Sequence, residues 1–134
     1  MGGGIVMLIL DTHALIWHAS ESDRLSKPAR EAIQSADRIL VSAISAWEIG
    51  MLVSKGRLSL SLDVAEWIRL AGLLPKMQWV AVEPELAVLS TRLPGDFHGD
   101  PADRLIASTA ITTGSPLITV DQKLRDYLHV RTIW

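Results

Sequence analysis

The sequence predicts an α/β domain, a three-layer α/β/α sandwich around a mostly parallel central sheet. Three observations carry this prediction. Short apolar runs of strand length alternate with helical patterns along almost the whole chain, as crossover-connected parallel strands do. The first run, Ile5-Val6-Met7-Leu8-Ile9-Leu10, is continuously apolar, as in a strand covered on both faces. That run ends in Asp11 and passes straight into a helical pattern. A carboxylate therefore stands at the carboxyl edge of the sheet, where open α/β sheets bind ligands.

The remaining elements follow in order. A helix runs from Thr12 to Ala19, with Leu15 and Ile16 inward. Glu21 to Leu25 is a polar link, and Ser26 caps a second helix that has Pro28 in its first turn and reaches Ser35. Ile39 to Ser42 is a buried strand, followed by a helix from Ala43 to Lys55 that Gly56 stops. Leu58 to Leu62 alternates Leu with Ser. Asp63 and Glu66 then have capping-box spacing for a helix from Val64 to about Leu73. Gln78 to Val82 is the third strand, and Pro84 opens a helix to about Thr91. Leu93 to Gly99 is rich in turn residues. Asp100-Pro101 starts a strong helix through Ile111, closed by Gly114. Leu117 to Val120 is a strand ending at Asp121, Gln122 to Tyr127 a short helix, and Val130 to Ile133 the last strand.

The 134 residues are expected to form one domain with a substantial core, and residues 1–4 to be a disordered extension or cloning remnant outside it. The net charge of −2 excludes a basic protein that coats nucleic acid, but not an enzyme that meets nucleic acid through metal ions. The absence of cysteine excludes disulfides, thiolate metal sites and a Cys nucleophile. There is no apolar run of about 18 residues and no basic leader with a long apolar stretch. No membrane association and a cytoplasmic location are therefore expected.

Four acids sit where they can converge. Asp11 ends the first strand, Glu48 lies early in the helix after the second, and Asp121 ends the fourth. Asp103 lies in the first turn of the Asp100-Pro101 helix and joins them if that helix starts at the same edge. Two like charges about 4 Å apart repel by roughly 4 kcal/mol at an effective dielectric near 20. Three or four such groups cannot all stay ionised without cations or raised pKa values. Oxygen-only ligands suit Mg²⁺ or Mn²⁺. Such ions would position a phosphodiester, lower the pKa of a bound water and stabilise a leaving oxygen.

Each acid also has a structural reading. Ser45-Ala46-Trp47-Glu48 has capping-box spacing, which weighs evenly against a site role for Glu48. Asp100 reads more readily as an N-cap, Asp103 complements a helix dipole, and Asp11 and Asp121 can each cap the helix that follows. Around them, Thr119 and Ser42 either support a bound water or simply suit their strands. Arg104 either meets phosphate or pairs with an acid. His13 fits a structural or substrate-contact role better than that of base or ligand. His18, His98 and His129 have no ligand spacing. Trp17, Trp47, Trp67 and Trp79 read as core or interface, and Trp134 as a subunit contact.

Four stretches resemble the motifs of PIN-domain proteins, in the right order and over essentially the whole chain. They are Leu10-Asp11-Thr12-His13-Ala14-Leu15-Ile16-Trp17, Val41-Ser42-Ala43-Ile44-Ser45-Ala46-Trp47-Glu48-Ile49, His98-Gly99-Asp100-Pro101-Ala102-Asp103-Arg104-Leu105-Ile106-Ala107 and Leu117-Ile118-Thr119-Val120-Asp121. The nearest subgroup is the VapC-type toxins of toxin–antitoxin pairs. The resemblance implies a Mg²⁺- or Mn²⁺-dependent endoribonuclease with Asp11, Glu48, Asp103 and Asp121 as its acidic site. Asp100, Thr119, Ser42 and Arg104 stand as outer candidates. It also implies an RNA substrate, a homodimer and a VapB-type antitoxin that blocks the site.

Two other classes compete. A phosphatase-like domain wants a second Asp two residues after the first, where His13 stands. A receiver domain wants a Lys at the end of its last strand, and Val130 to Trp134 has none. A non-catalytic binding module would use the acids only as helix caps. The RNA target would be selected by groove shape and by basic residues such as Lys55, Arg57 and Lys123.

Overall fold

The computed structural model of the chain describes residues 4–97 and 99–134. The elements are β1 (Met7–Leu10), α1 (Thr12–Ala19), α2 (Lys27–Ser35), β2 (Arg38–Ser42), α3 (Ala43–Ser54), α4 (Val64–Ala71), β3 (Met77–Val80), α5 (Pro84–Ser90), α6 (Pro101–Thr113), β4 (Leu117–Ile118), α7 (Gln122–Asp126) and β5 (Thr132–Ile133). The strands form one sheet in the order β3-β2-β1-β4-β5. Every neighbouring pair is parallel. The expected α/β sandwich is present, with β1 at its centre.

Strand side chains alternate between faces, and that alternation divides the core into two layers. Leu8, Leu10, Ile39 and Val41 pack with Leu15 of α1, Ile33 of α2, Ile49 of α3 and Ala71 of α4. Ile9, Leu40 and Leu117 face the other way, onto Ile106, Ala107 and Ala110 of α6 and Leu124 of α7. Full burial of a side chain of this size stabilises by ~1.5–3 kcal/mol. Leu8, Ile9 and Leu10 are all essentially inaccessible, so β1 is held from both sides.

The strand ends depart from the expected boundaries. Ile5 and Val6 are 59% and 53% exposed and Met7, where the strand begins, is half-buried, so the doubly covered part of the first run begins only at Leu8. Val6 is still tied to the sheet margin. Its N–H donates to Asp37 Oδ2 (2.7 Å) and its carbonyl accepts from the N–H groups of Asp37 and Arg38. β4 ends at Ile118; the Thr119 N–H still donates to the Ile133 carbonyl, while its hydroxyl accepts from Asp121 N–H in the turn into α7. Asp63 caps α4 as expected, but Glu66 closes no capping box and instead pairs with Arg69. Leu58 to Leu62 forms no strand. Ser26 caps α2, and Gly114, at φ 64°, closes α6 in the left-handed conformation that glycine adopts without strain. Of the expected N-terminal extension, residues 1–3 lie outside the described residues, and Gly4 is exposed. His98 also lies outside them.

The strand order places a switch point at the middle of the sheet. The chain leaves β1 for β2 and β3 on one side and returns to β4 and β5 on the other. Such a reversal opens a crevice beyond the carboxyl ends of the two strands concerned. Asp11 follows β1 directly, and Thr119 and Asp121 follow β4.

Candidate active site

A cavity of about 240 Å³ occupies that crevice. Its walls include Asp11, Glu48, Asp103 and Asp121, so the structure brings all four predicted acids to one place. Asp100 joins them, with Thr12, His13, Ile106 and Val120 completing the lining. A larger cavity, about 310 Å³, lies at the opposite edge of the sheet between Trp17, Leu25, Ile33 and Pro75. It holds no convergent acids.

Each acid is placed by a distinct local device. Asp11 is the N-cap of α1, only 7% exposed, and its Oδ1 accepts from Ala14 N–H at 2.9 Å. Its Oδ2 accepts from the Thr119 hydroxyl, which itself accepts from Asp121 N–H at 3.0 Å. Each carboxylate oxygen has two lone pairs, so both Asp11 oxygens keep capacity toward the cavity. Asp121 caps α7 through Oδ1, which accepts from Lys123 N–H at 2.8 Å and Leu124 N–H at 3.4 Å. Asp100 caps α6 through Oδ1, with Asp103 N–H donating at 2.8 Å. The capping and site readings of these residues are thus compatible, because each carboxylate caps its helix through one oxygen and still lines the cavity with acceptor capacity to spare.

Glu48 settles differently from its capping-box reading. The N-cap of α3 is Ser42, whose hydroxyl accepts from Ile44 N–H at 3.2 Å. Ser45 lies inside the helix. Glu48 Oε1 accepts instead from the hydroxyl of Thr12, across from α1.

Two outer candidates do not reach the cavity. Ser42 is fully buried and spends its hydroxyl on the α3 cap. The Arg104 guanidinium turns away from the acids and donates to the carbonyls of Ser90 and Phe97. It fastens the loop before α6 and pairs with no acid among the described residues. Thr119 does not line the cavity either, but from its buried position it donates to Asp11 Oδ2 and accepts from Asp121 N–H, and so braces two of the acids that do. Thr12 is a site-lining residue that residue type and spacing did not single out. His13 is exposed on the rim, its ring 5.8 Å from that of Trp17. Trp17, Trp67, Trp79 and Trp134 pack against the core, whereas Trp47 is 58% exposed.

Burial and mutual repulsion govern the electrostatics. Burial pushes the Asp11 carboxyl up, against the hydrogen bonds from Thr119 and Ala14. Burial also raises Glu48, opposed by the Thr12 hydroxyl and reinforced by Asp100. Asp103 is pushed up to about 7, first by burial and then by the charges of Asp100, Asp121, Glu48 and Asp11. Among the described residues, no three His, Asp or Glu side chains are already gathered closely enough to hold one ion. The donor chemistry fits a hard divalent cation: oxygens alone, around one cavity, with a protonation equilibrium that a cation would reverse.

The parallel sheet and its acid-lined crevice define an α/β domain with an oxygen-donor site at a topological switch point. The chain belongs to the PIN domain family, whose model matches residues 8–128. It is 40% identical over 129 residues to Ribonuclease VapC22 of Mycobacterium tuberculosis, covering 95% of this chain and 98% of that protein. Among solved structures it resembles VapBC2 from Rickettsia felis bound to a DNA fragment from their promoter, with TM-score 0.66 at 18% identity, covering 95% of this chain and 97% of that one. DNA-bound VapBC from Salmonella typhimurium gives TM-score 0.67 at 17% identity, covering 96% and 97%. At these identities the structural likeness is one of fold.

Proposed function

We propose that this chain is a metal-dependent endoribonuclease acting as the toxin of a toxin–antitoxin pair. The observation that carries the proposal is the convergence of Asp11, Glu48, Asp103 and Asp121 on one cavity at the switch point. The near full-length similarity to a VapC ribonuclease supports it.

Asp11, Glu48, Asp103 and Asp121 are the residues that would hold Mg²⁺ or Mn²⁺, with Asp100 beside them. When bound, such an ion supplies charge for the phosphodiester and acidity for water. The chain's own groups do the rest. Asp11, fixed by Thr119 and the α1 N-terminus, is a rigidly held oxygen donor at the end of β1. Asp103 or Asp121 orients the attacking water. Asp103 is the group whose surroundings let it exchange a proton near neutral pH.

RNA, a cognate VapB-type antitoxin and a second copy of the chain are the proposed partners, met in the cytoplasm. Exposed Trp47, Leu70, Leu73 and Val88 offer apolar surface for protein partners to cover. No helix among the described residues is long and apolar enough to cross a membrane.

The test is a Mn²⁺ titration of thermal stability, paired with sequencing of RNA ends after induction in cells lacking the antitoxin. A rising Tm and new, discrete RNA ends are expected. No Tm shift together with no new ends would make the domain a non-catalytic module whose acids only cap helices.

A further inference from the structure

The buried pair Thr12 and Ser45 has no part in the acid cluster as such, yet it touches one member of it. Thr12 opens α1, and Ser45 lies in α3 one turn before Glu48. Thr12 Oγ1 is 2.9 Å from Ser45 Oγ and is also hydrogen-bonded to Glu48 Oε1. Thr12 has one hydroxyl proton for these two neighbours. An ionised carboxylate only accepts, so that proton goes to Glu48. Ser45 then donates its own proton to Thr12 Oγ1. Two bonds in series through a buried site polarise one another.

Glu48 depends on this chain of bonds more than Asp11, Asp100 and Asp121 depend on any one side-chain partner. Asp11, Asp100 and Asp121 are each held by backbone N–H groups at a helix start. Glu48 is in mid-helix, where backbone donors are already used, and has a longer side chain with an extra rotatable bond. Among the described residues, its recorded hydrogen-bond partner is Thr12. The Ser45-to-Glu48 spacing that imitates a capping box in the sequence thus has another use. It sets a hydroxyl and a carboxylate on one helix face, three residues apart, around a third group delivered by α1.

We propose that Ser45 and Thr12 form a hydroxyl relay that fixes the Glu48 carboxylate in the cavity, which makes both of them positioning residues. The catalytic consequence rests on the ribonuclease reading above; the geometric one does not. Supporting partners of this kind typically contribute 10- to 100-fold in metal affinity or activity. Thr12→Val is nearly isosteric and removes the hydroxyl, while Thr12→Ser keeps it.

The experiment compares wild type, Thr12→Val, Thr12→Ser and Ser45→Ala by three measurements on the full chain. They are RNA cleavage kinetics, Mn²⁺ affinity, and NMR relaxation of the Glu48 side chain without added metal. Thr12→Val is expected to lower kcat about tenfold or more with KM for RNA little changed, to weaken Mn²⁺ binding similarly, and to set the Glu48 side chain moving among rotamers. Thr12→Ser restores all three, and Ser45→Ala moves them the same way by less. An equally ordered Glu48 in Thr12→Val would overturn the relay, as would equal losses in Thr12→Val and Thr12→Ser. If wild type cleaves no RNA, the ribonuclease reading fails, and the NMR comparison still decides the relay by itself.

Discussion

The hydroxyl of Thr119 donates to Asp11 Oδ2 at 2.5 Å, joining two residues 108 positions apart. The same oxygen accepts from Asp121 N–H at 3.0 Å. One buried side chain thus fixes both the acid that follows β1 and the backbone of the acid that follows β4. Thr119→Val removes the hydroxyl at nearly constant volume and leaves a buried carboxylate oxygen without its donor. A loss of about 1–3 kcal/mol in stability is expected, together with a roughly 10- to 100-fold fall in cleavage. Thr119→Ser is expected to retain most of both. Denaturant unfolding and cleavage assays on the two variants check this, and equal activity in Thr119→Val and wild type would contradict it.

The raised pKa of Asp103 makes stability depend on pH with a definite sign. The folded protein binds this proton more tightly than the unfolded chain does, with a pKa of about 7 against an ordinary 3.8. The contribution of Asp103 is therefore most favourable below the unfolded value, and is lost as pH rises toward and through 7. Asp103→Asn removes the penalty. Its Tm is expected to exceed that of wild type at pH 8, and the gap to shrink at pH 5. Added Mg²⁺ or Mn²⁺ should raise the wild-type Tm more at pH 8 than at pH 5, since the ion competes with the proton. Thermal scans at the two pH values measure both effects; an unaltered gap between pH 5 and pH 8 would contradict the assignment.

Gly99 lies where no side chain fits. A Cβ there would sit 2.4 Å from Phe97 Cε1 and 3.0 Å from Asp103 Cβ. Gly99→Ala must displace either the Phe97 ring, which packs in the core layer of Ile9, Leu40 and Ile106, or Asp103 itself. Overpacking of this sort costs about 1–3 kcal/mol. A fall in Tm is expected together with a fall in kcat. Wild-type activity at reduced stability would show that Phe97 alone gives way.

Arg104 acts on the site only through the loop that it fastens. Its guanidinium bridges the carbonyls of Ser90 and Phe97. Arg104→Lys keeps the charge but cannot reproduce the fork. Faster amide hydrogen exchange over residues 91–97 is expected, with a loss of about 1.5–3 kcal/mol for hydrogen bonds to a charged group. The salt dependence of RNA binding should hardly move, whereas a clear change in it would assign Arg104 to phosphate after all.

The sheet was legible because β1, β2 and β4 are apolar on both faces and the helices between them are well marked by Ser26, Gly114 and Asp100-Pro101. Asp11, Glu48 and Asp121 were legible as a group because a parallel sheet sends every strand end to one edge. Other features were not. Ile5 and Val6 have the composition of Leu8 and Ile9, and only the third dimension shows that they lie beyond the covered part of the sheet. Ser45 and Glu48 carry the spacing of a helix start, but Ser42, three residues earlier, takes that role. Thr12 is not legible because a lone Thr in an apolar stretch carries no local signal; its partners are 33 and 36 residues away. Arg104 next to Asp103 reads as an ion pair or a phosphate contact, whereas neighbours on a helix point in different directions, and the arginine faces the loop.

The proposed function requires joint action of Asp11, Glu48, Asp103 and Asp121 as one metal-dependent centre for RNA hydrolysis. It is tested most directly by incubating the purified chain and its Asp11→Asn variant with RNA in Mn²⁺, with and without excess EDTA, and resolving the products. Cleavage is expected from wild type in Mn²⁺ alone, reduced by at least about 100-fold in Asp11→Asn and abolished by EDTA, with the variant's circular dichroism unchanged. Undiminished cleavage by folded Asp11→Asn, or by wild type in excess EDTA, would rule out a metal-dependent centre built on these acids.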